Sequence, residues 1–570
     1  MLPVTKNLET DILIIGGGIA GLMASMSARR SGARVMVVEK ADTRRSGSGA
    51  SGNDHFLCYI PEKHGSVDVV LNELKDSLFG ANMDIPLAVR FFNESFEVVK
   101  DWHSWGINMK IANDDWTFMG HAFPGRPRIF LKYDGHNQKA VLTEKARQVG
   151  VNILNHHSVL DLTCDDSGVT GALALDVSQP EPTFTLIRAR SVIFTAGCGN
   201  RLYPARVTPG ILFNVSDCPA NTSAAIAQSW RVGAKIVNME LPNHHAGPCY
   251  FSRGGKNTWI GVYRRGDGEL LGPFVTHATR EVGDITGDVW NSAFTELMLN
   301  GHGPTYMDCT SDTPEDLAFM REGMKSEGLT ALIHYMDELG VNPAHHLVEF
   351  RQYEPYIVGK GVQIDINAQS NVPGLYAAGD TVGNFRGDMG GAAVYGRIAG
   401  REAGAACMKR GLVSQEEQLD DAWLQERMAY YSAFYERKSG SDWKESNQAL
   451  QQIMVDYAPP GPDKVRSRTL LDAGLQYLDQ LRDITLNQVR TPCSHTLMRM
   501  AETLDLMDCG EITMRAARER KETRGLHKRS DFTFTNPLLD NKFLQVWKKE
   551  GSVQMQWRDK VLSLTGDCYF

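Results

Sequence analysis

The sequence predicts an α/β protein with a Rossmann-like, two-dinucleotide-fold domain, an inserted α+β capping domain and a C-terminal helical domain. Three observations lead to this prediction. They are a glycine-rich strand, helix and strand at the N-terminus, two further strands that end in small residues near positions 197 and 379, and a shift to helix-forming residues after about position 412. A chain of 570 residues is also too long for one hydrophobic core, so several domains are expected.

The first element is the stretch 10–39, in which an apolar strand runs into Gly-Gly-Gly-Ile-Ala-Gly, a helix follows, and a second strand ends in Glu39. Gly16 allows the tight turn, Gly18 lets backbone N–H groups approach a diphosphate, and Gly21 lets the helix pack closely on the strand. Glu39 has the offset of a carboxylate that binds both ribose hydroxyls. The stretch therefore predicts a dinucleotide-binding βαβ unit with the diphosphate at a helix N-terminus.

The next elements are a flexible loop and two more strand ends. The loop at 41–53 is rich in glycine and serine, and its backbone can lie against a flavin ring or phosphates. Strands predicted over 151–197 end in Thr-Ala-Gly, and residues 374–380 end in Ala-Gly-Asp. Both resemble the later flavin-contacting strands of two-dinucleotide-fold flavoproteins. That resemblance implies FAD, with Asp380 accepting a hydrogen bond from a ribityl hydroxyl and the following helix N-terminus facing the flavin carbonyls.

The spacing of these strand ends predicts a split domain. We expect the FAD-binding domain to comprise 1–239 and 351–411, interrupted by a capping or substrate domain at 240–350 that is rich in histidine, glycine and arginine. Residues 412–570 are expected to form a helical bundle with an irregular tail, because helix formers dominate there.

Composition excludes several function classes. The net charge of −8 gives no reason to expect nucleic acid as a partner. No apolar run of eighteen residues and no signal pattern is found, so we expect no integral membrane segment and a cytoplasmic location. The ten cysteines contain no CxxC pair, which argues against a disulfide framework, a bound metal or a self-contained iron–sulfur cluster. Electrons beyond the bound cofactor must then come from another protein.

The motifs together resemble the fumarate reductase/succinate dehydrogenase flavoprotein superfamily over nearly the whole chain. They are Gly-Gly-Gly-Ile-Ala-Gly at 16–21, Leu-Tyr-Ala-Ala-Gly-Asp at 375–380 and the small-residue stretch 390–400. Within that superfamily the chain is most similar to the α (flavin) subunit of the adenylylsulfate reductases. Tyr-Glu-Pro-Tyr-Ile-Val-Gly at 353–359 discriminates best, because the dicarboxylate enzymes have His-Tyr-Thr-Met-Gly-Gly there.

The resemblance implies a set of FAD contacts and a set of substrate contacts. The FAD contacts are Gly16, Gly18, Gly21, Glu39, Lys40, Ser46, Gly47, Ala196, Gly197, Gly379, Asp380, Gly391 and Ala392. For the substrate, His245 matches a carboxylate-binding histidine, Arg280 a proton-donating or anion-binding arginine, and Arg386 a second cation after the Gly-Asp strand. Trp259 matches an indole that narrows the substrate channel.

Structural alternatives stay open for these substrate residues. Arg280 could pair with Glu281 or another nearby acid at a helix end. His245 could belong to a hydrogen-bonded loop pair with His244, and Trp259 could be a core side chain.

Departures from the family pattern are also informative. Covalent flavin attachment in this superfamily uses a histidine directly after Arg-Ser, and Gly47 stands at that position, so FAD is expected to be non-covalent. Leu57 replaces an asparagine that packs by the flavin in adenylylsulfate reductases, and Lys360 begins a stretch that replaces their Ser-His-Ser-Gly. The resemblance therefore does not fix a sulfur substrate.

Three functions follow as hypotheses. The first is an FAD-dependent oxidoreductase that acts on a small anionic substrate and exchanges electrons with an iron–sulfur, ferredoxin-like or other redox subunit. The second is a fumarate or 2-enoate reductase that reduces a C=C bond. The third is a catalytically silent flavin subunit for electron relay.

Overall fold

A computed structural model describes residues 2–77, 82–111, 115–119, 125–206, 210–249, 251, 258–272, 275–282, 293–410, 421–566, 568 and 570. The predicted boundary between residues 411 and 412 lies outside these described residues.

The strands of this part of the chain alternate with helices in the N-terminal half. They are β1 Val4–Glu9, β2 Ile12–Ile15, β3 Val35–Glu39, β4 His55–Leu57, β5 Phe130–Lys132, β6 Asn152–Asn155, β7 His157–Asp165, β8 Gly168–Asp176, β9 Thr183–Arg188, β10 Ser191–Phe194, β11 Ile236–Val237, β12 Asn243–Pro248, β13 Val262–Arg264, β14 Thr305–Asp308, β15 Val348–Tyr356, β16 Gly361–Val362, β17 Leu375–Ala377, β18 Lys542–Lys549 and β19 Ser552–Asp559.

The helices dominate the C-terminal third. They are α1 Ile19–Arg29, α2 Pro61–His64, α3 Val67–Lys75, α4 Ile85–Ser104, α5 Gln138–Gln148, α6 Ala224–Arg231, α7 Ala293–Leu299, α8 Pro314–Ser326, α9 Thr330–Leu339, α10 Asp388–Arg410, α11 Asp421–Glu436, α12 Trp443–Tyr457, α13 Arg468–Gln488 and α14 Ser494–Glu519.

A five-stranded parallel sheet with the order β17-β10-β2-β3-β6 forms the centre of the molecule. The strands β2, β3 and β10 are buried along their whole length, which is typical of parallel strands covered by helices on both faces. The three predicted glycine-bearing strand ends belong to adjacent strands β2, β10 and β17. The predicted fold class is therefore confirmed. Although the inserted region separates β17 from β10 in the sequence, the two strands pair directly in the central sheet.

The inserted region forms a separate antiparallel sheet with the order β12-β15-β14-β13. It has its own buried apolar cluster, which includes Trp259, Tyr263, Phe294 and Phe350. We call this region the cap. Its exact limits of 240–350 remain a prediction.

The C-terminal region is helical up to residue 519, as predicted, but the expectation of an irregular tail is wrong. The strands β18 and β19 form a hairpin whose first strand pairs with β11, next to β16, in a four-stranded sheet. Backbone hydrogen bonds between β18 and β11 thus attach the C-terminal hairpin to the rest of the protein. The sequence of the tail does not predict this pairing. In the described residues, the helices are all too short or too polar to cross a lipid bilayer.

Candidate active site

The carboxyl ends of β2, β10 and β17 open into a cavity of about 390 Å³, a size typical of small-molecule sites. The predicted FAD contacts that line it are Gly16, Gly18, Glu39, Lys40, Ser46, Gly47, Ala196, Gly197, Gly379, Asp380 and Ala392. The predicted substrate residues that line it are His245 and Arg386. The fold therefore brings together residues from the N-terminal unit, the cap and the helix after β17.

The glycine-rich turn after β2 leaves no room for side chains at two positions. Gly16 has φ +101°, and a Cβ there would lie 2.6 Å from the carbonyl oxygen of Thr195. A Cβ on Gly21 would lie 1.9 Å from the carbonyl oxygen of Gly16. Gly21 is not in the cavity lining, so its contribution is the close packing of α1 on the strand turn, as the spacing predicts.

Gly18 differs from these two glycines. Its φ of −68° suits any residue, and a Cβ there would meet only the carbonyl oxygen of Thr195, at 3.9 Å. The space beside this glycine belongs to the cavity at the N-terminus of α1, where unpaired N–H groups and the helix dipole favour an anion. A ligand diphosphate fits this cradle.

Glu39 is buried at the end of β3 and is held in place by backbone donors. Its carboxylate accepts hydrogen bonds from Gly17 N at 2.7 Å and from Ala41 N at 2.8 Å. The fixed carboxylate at the cavity wall fits the predicted contact with an adenosine ribose.

Lys139, on α5, is a buried cation behind this turn that sequence reasoning missed. Its ammonium group donates to the carbonyl oxygen of Gly17. Burial lowers its pKa to about 8, although Glu39 and Asp42 oppose that shift. No motif marks the residue, because its place behind the turn depends on how α5 packs on the N-terminal unit.

Lys40 connects the dinucleotide end of the cavity to the C-terminal helices. Its ammonium group donates to Glu502 at 2.7 Å and to the carbonyl oxygen of Ala220. Glu502 also binds Arg201 at 2.6 Å and Arg499 at 2.8 Å. Although burial opposes its ionisation, these three cations hold the pKa of the Glu502 carboxyl well below its usual range. Helix α14, which carries Glu502, thus forms part of the cavity wall.

Asp380 faces the cavity from the turn after β17. Burial, and then the charges of Asp217 and Asp388, raise the pKa of Asp380 to about 7, whereas Arg386 lowers it. The carboxyl can therefore donate as well as accept a hydrogen bond near neutral pH, which suits contact with a ribityl hydroxyl. Asp217 also lines the cavity and was not predicted.

The substrate end combines a cation with two aromatic rings. Arg386 is mostly buried, with its side chain 16% exposed, and its Nε donates to Asp388 Oδ1 at 2.9 Å. Burial lowers the pKa of the guanidinium, but Asp388 and Tyr356 outweigh that effect and raise it. His245 stacks on Tyr356 with ring centroids 6.1 Å apart and an interplanar angle of 14°. All three side chains line the cavity. They form a surface that can bind a planar anionic group.

The neighbouring His244 does not line the cavity. Its ring is buried, and its Nδ1 lies 2.8 Å from the carbonyl oxygen of Tyr353. Burial, followed by the charge of Arg206, lowers the pKa of His244 to about 3, so the ring is neutral. His244 is therefore a hydrogen-bonded structural histidine, although it lies in strand β12 and not in a loop.

The Glu-Pro-Tyr motif has a positioning role. The buried carboxylate of Glu354 accepts hydrogen bonds from Arg206 N at 3.3 Å and Ser216 N at 2.5 Å. It thereby holds the loop that brings Ser216 and Asp217 to the cavity wall.

Besides Gly21, three predicted site residues do not line this cavity. Arg280 pairs with Asp316 at 2.7 Å, and its side chain is 37% exposed. Trp259 packs edge-on against Phe350 inside the cap, with centroids 5.2 Å apart. Gly391 lies in a small neighbouring crevice beside Phe385. The packing of the cap places Arg280 and Trp259 outside the cavity lining, and the path of α10 does the same for Gly391.

Gly47 has φ +81° and lies against the Cα of Gly18 without a side chain that could bond to a flavin. We expect acid denaturation to release all of the FAD into the supernatant. Absorbance of the supernatant and flavin fluorescence of the protein on a denaturing gel test this expectation. Flavin fluorescence that stays with the polypeptide would contradict it.

Comparisons with known proteins agree with this geometry. A family model described as an FAD binding domain matches residues 11–394, and one described as the C-terminal part of fumarate reductase flavoprotein matches residues 447–565. One subunit of the fumarate reductase (CoM/CoB) of Methanothermobacter marburgensis is 25% identical, covering 93% of this chain and 95% of its own length. L-aspartate oxidase of Mycobacterium leprae is 24% identical, covering 92% of this chain and 93% of its own length.

Solved structures show the same fold. Adenylylsulfate reductase from Archaeoglobus fulgidus has a TM-score of 0.83 at 20% identity, covering 98% of this chain and 96% of its own. An E. coli quinol fumarate reductase structure has a TM-score of 0.80 at 18% identity and covers 99% of both chains. The chain therefore belongs to the FAD-binding flavoprotein family that contains fumarate reductase, and it is an FAD-dependent oxidoreductase.

Proposed function

We propose that this oxidoreductase acts on a small anionic substrate held between Arg386 and His245, and that it exchanges electrons with an iron–sulfur partner protein. The observation that carries the proposal is the mostly buried guanidinium of Arg386, with its side chain 16% exposed, in the wall of the FAD cavity. Burial of a charge is costly, and a residue at a ligand cavity has few structural reasons to be charged.

The side chains at the substrate end of the cavity have different roles. Arg386 stays charged at any working pH and offers a planar set of donors to an oxyanion or carboxylate. His245, stacked on Tyr356, offers a second polar contact and limits where the substrate can lie. Closure of the cap over the cavity would exclude water and strengthen both contacts. Bound FAD supplies the two-electron chemistry.

The proposed redox partner is supported by the cysteines. None of the ten forms a disulfide bond, and within the described ranges no cysteine belongs to a cluster of potential metal ligands. The relative from Methanothermobacter marburgensis is one subunit of its enzyme, which favours a multi-subunit enzyme here as well. The absence of nucleic acid among the partners and the cytoplasmic location remain predictions.

A second candidate is reduction of a C=C bond in fumarate or another 2-enoate. The sequence relatives favour it, because they include a fumarate reductase and an L-aspartate oxidase. The adenylylsulfate reductase neighbour, at 20% identity, supports the fold alone. The anion-binding end described above serves either substrate class.

Turnover assays separate the candidates. Holoenzyme purified with its native partners is assayed with AMP plus sulfite, using an artificial electron acceptor, and with fumarate and other 2-enoates, using reduced viologen. Activity with one class assigns the substrate. Absence of turnover with both classes, in protein that carries FAD, favours a silent electron-relay role and contradicts the proposal.

The partner is tested by native co-purification. We expect an iron–sulfur protein to elute with the chain. A monomer that turns over substrate with NADH alone would contradict this expectation.

A further inference from the structure

Four charged side chains meet where the cap contacts the FAD-binding domain. His55 and Lys132 are opposite residues in the antiparallel pair β4 and β5, and Asp54 precedes His55. Asp54 Oδ1 lies 2.6 Å from His55 Nδ1, and Asp54 Oδ2 lies 2.7 Å from Lys132 Nζ. Glu327, directly after α8 of the cap, places Oε1 3.8 Å from His55 Nδ1. We call Asp54, His55, Lys132 and Glu327 the proton cluster.

The proton cluster belongs to the FAD cavity. His55 and Glu327 both line it, together with Gly52 and Asn53 of the loop between them and the glycine-rich turn. Asp54 and Lys132 lie behind them and are almost wholly buried, with side chains only 4% and 6% exposed. The Glu327 side chain is 12% exposed. His55 and Glu327 can therefore contact a bound ligand, whereas Asp54 and Lys132 cannot.

The backbone around the cluster is tightly fitted. Gly52 has φ +118°, and a Cβ there would lie 2.0 Å from the carbonyl oxygen of Ser326. A Cβ on Gly328 would lie 2.4 Å from the carbonyl oxygen of Ser51. Glycines on both sides therefore let the cap chain approach the flavin-domain loop closely enough to bring Glu327 to Asp54.

The surroundings of the cluster raise the pKa values of both Glu327 and His55. Burial and the charge of Asp54 raise the pKa of the Glu327 carboxyl, whereas His55 and Lys132 lower it. Asp54 stays ionised despite burial, because Lys132 and His55 hold its pKa below the usual range. Burial lowers the pKa of His55, but its hydrogen bond to Asp54 outweighs that effect and raises it. Tyr133, the other titratable group whose pKa these carboxylates raise, donates to Gln138 at 2.7 Å and stays neutral.

We propose that Glu327 is the proton donor of the FAD cavity and that His55, held by Asp54 and Lys132, resupplies it. The inference rests on the proposed function, because it assigns the acid that a reduced substrate needs. The Glu327 O–H bond breaks as its proton passes to the substrate atom that becomes basic on reduction. The resulting carboxylate regains a proton from the His55 imidazolium, and the neutral imidazole regains one from solvent. In the oxidative direction each proton moves the opposite way.

This assignment accounts for two features of the site. The predicted proton donor, Arg280, is bound to Asp316 outside the cavity lining, whereas Glu327 lines the cavity. Asp54, His55 and Glu327 also have the spacing of metal ligands. Lys132 already occupies one Asp54 oxygen and neutralises it, which favours a proton over a metal ion in this cluster.

The first test needs no substrate. Infrared difference spectra of the FAD-loaded protein are recorded against pH for wild type, for Glu327→Gln and for the control Glu322→Gln. Glu322 lies on α8, the helix directly before Glu327, and its side chain is 69% exposed. We expect a protonated-carboxyl band that titrates well above the ordinary glutamic acid range, that persists in the control and that is absent in Glu327→Gln. A Glu327 carboxylate ionised at pH 6, or a stoichiometric bound metal found by elemental analysis, would overturn the proposal.

The second test uses whichever substrate the turnover assays identify. In the reductive direction, activity should be high where Glu327 is protonated and fall as the pH rises through its raised pKa. We expect Glu327→Gln to lower kcat about 100-fold or more with FAD content unchanged, and to abolish that alkaline limb. His55→Asn should lower kcat less and shift the limb. An unchanged kcat and pH profile in Glu327→Gln would refute the donor role, while the anion site of Arg386 would remain.

Discussion

Replacing Gly18 by alanine is expected to weaken FAD binding about 100-fold or more while the apoprotein stays folded. The backbone at Gly18 tolerates a side chain, and a new methyl group would meet only Thr195 at 3.9 Å. It would, however, occupy the space at the α1 N-terminus that the diphosphate needs. Titration of the apoprotein with FAD, followed by flavin fluorescence, measures the affinity, and thermal unfolding of the apoprotein measures stability.

Two other glycines act as controls for this result. Gly21→Ala should lose both stability and FAD, because its Cβ would overlap the backbone of Gly16 at 1.9 Å. Gly32→Ala, at φ +88° with no neighbouring atom within 4 Å, should cost about 1–2 kcal/mol of stability and leave FAD affinity unchanged. If Gly18→Ala bound FAD as tightly as wild type, the diphosphate would not lie at this turn.

The second large effect is expected for Arg386→Gln. Loss of the guanidinium should lower kcat/KM by a factor of about 10²–10⁴ and leave FAD bound, because the charged hydrogen bonds to the anionic substrate are lost. Arg386→Lys should recover part of the loss, since it keeps the charge but not the planar set of donors. Steady-state kinetics with the substrate identified by turnover, together with the ratio of flavin to protein absorbance, measure both quantities.

Arg386 also lies close to carboxylates, so its removal could act through them. Asp388→Asn breaks the ion pair but keeps the guanidinium, and it should reduce kcat/KM much less than Arg386→Gln. Arg265→Gln removes an exposed ion pair with Asp267 in the cap and should have no effect. If Arg386→Gln retained full activity, the anion would be bound elsewhere.

Local chain features were predictable because each depends on a few neighbouring residues. The βαβ unit with Gly16 and Glu39 follows from spacing alone, and so does the recurrence of strand ends at Gly197 and Gly379. The parallel order of β17, β10 and β2 confirms that these ends meet. The helices of the C-terminal region were equally predictable, because helix-forming residues dominate their sequence.

The substrate end was less predictable, because it depends on how the cap packs. Arg280 and Arg386 look alike in sequence, yet Arg280 is paired with Asp316 on the cap and Arg386 lies mostly buried in the cavity wall. Trp259 matched a channel residue but packs within the cap core. Lys139 and Glu327 carry no motif, so only the packing of α5 and the cap identifies them as neighbours of the cavity.

By itself the sequence determined the dinucleotide fold, the FAD cofactor and the membership of a flavoprotein superfamily. These features depend on backbone conformations that only glycine or closely spaced small residues permit. A short stretch of sequence is therefore enough to predict them. Only the tertiary structure decided which charged side chains share the cavity. Hydrogen bonds and close ion pairs need separations of a few ångströms, and residues such as Asp54 and Glu327, far apart in sequence, come near each other only after the domains have packed together.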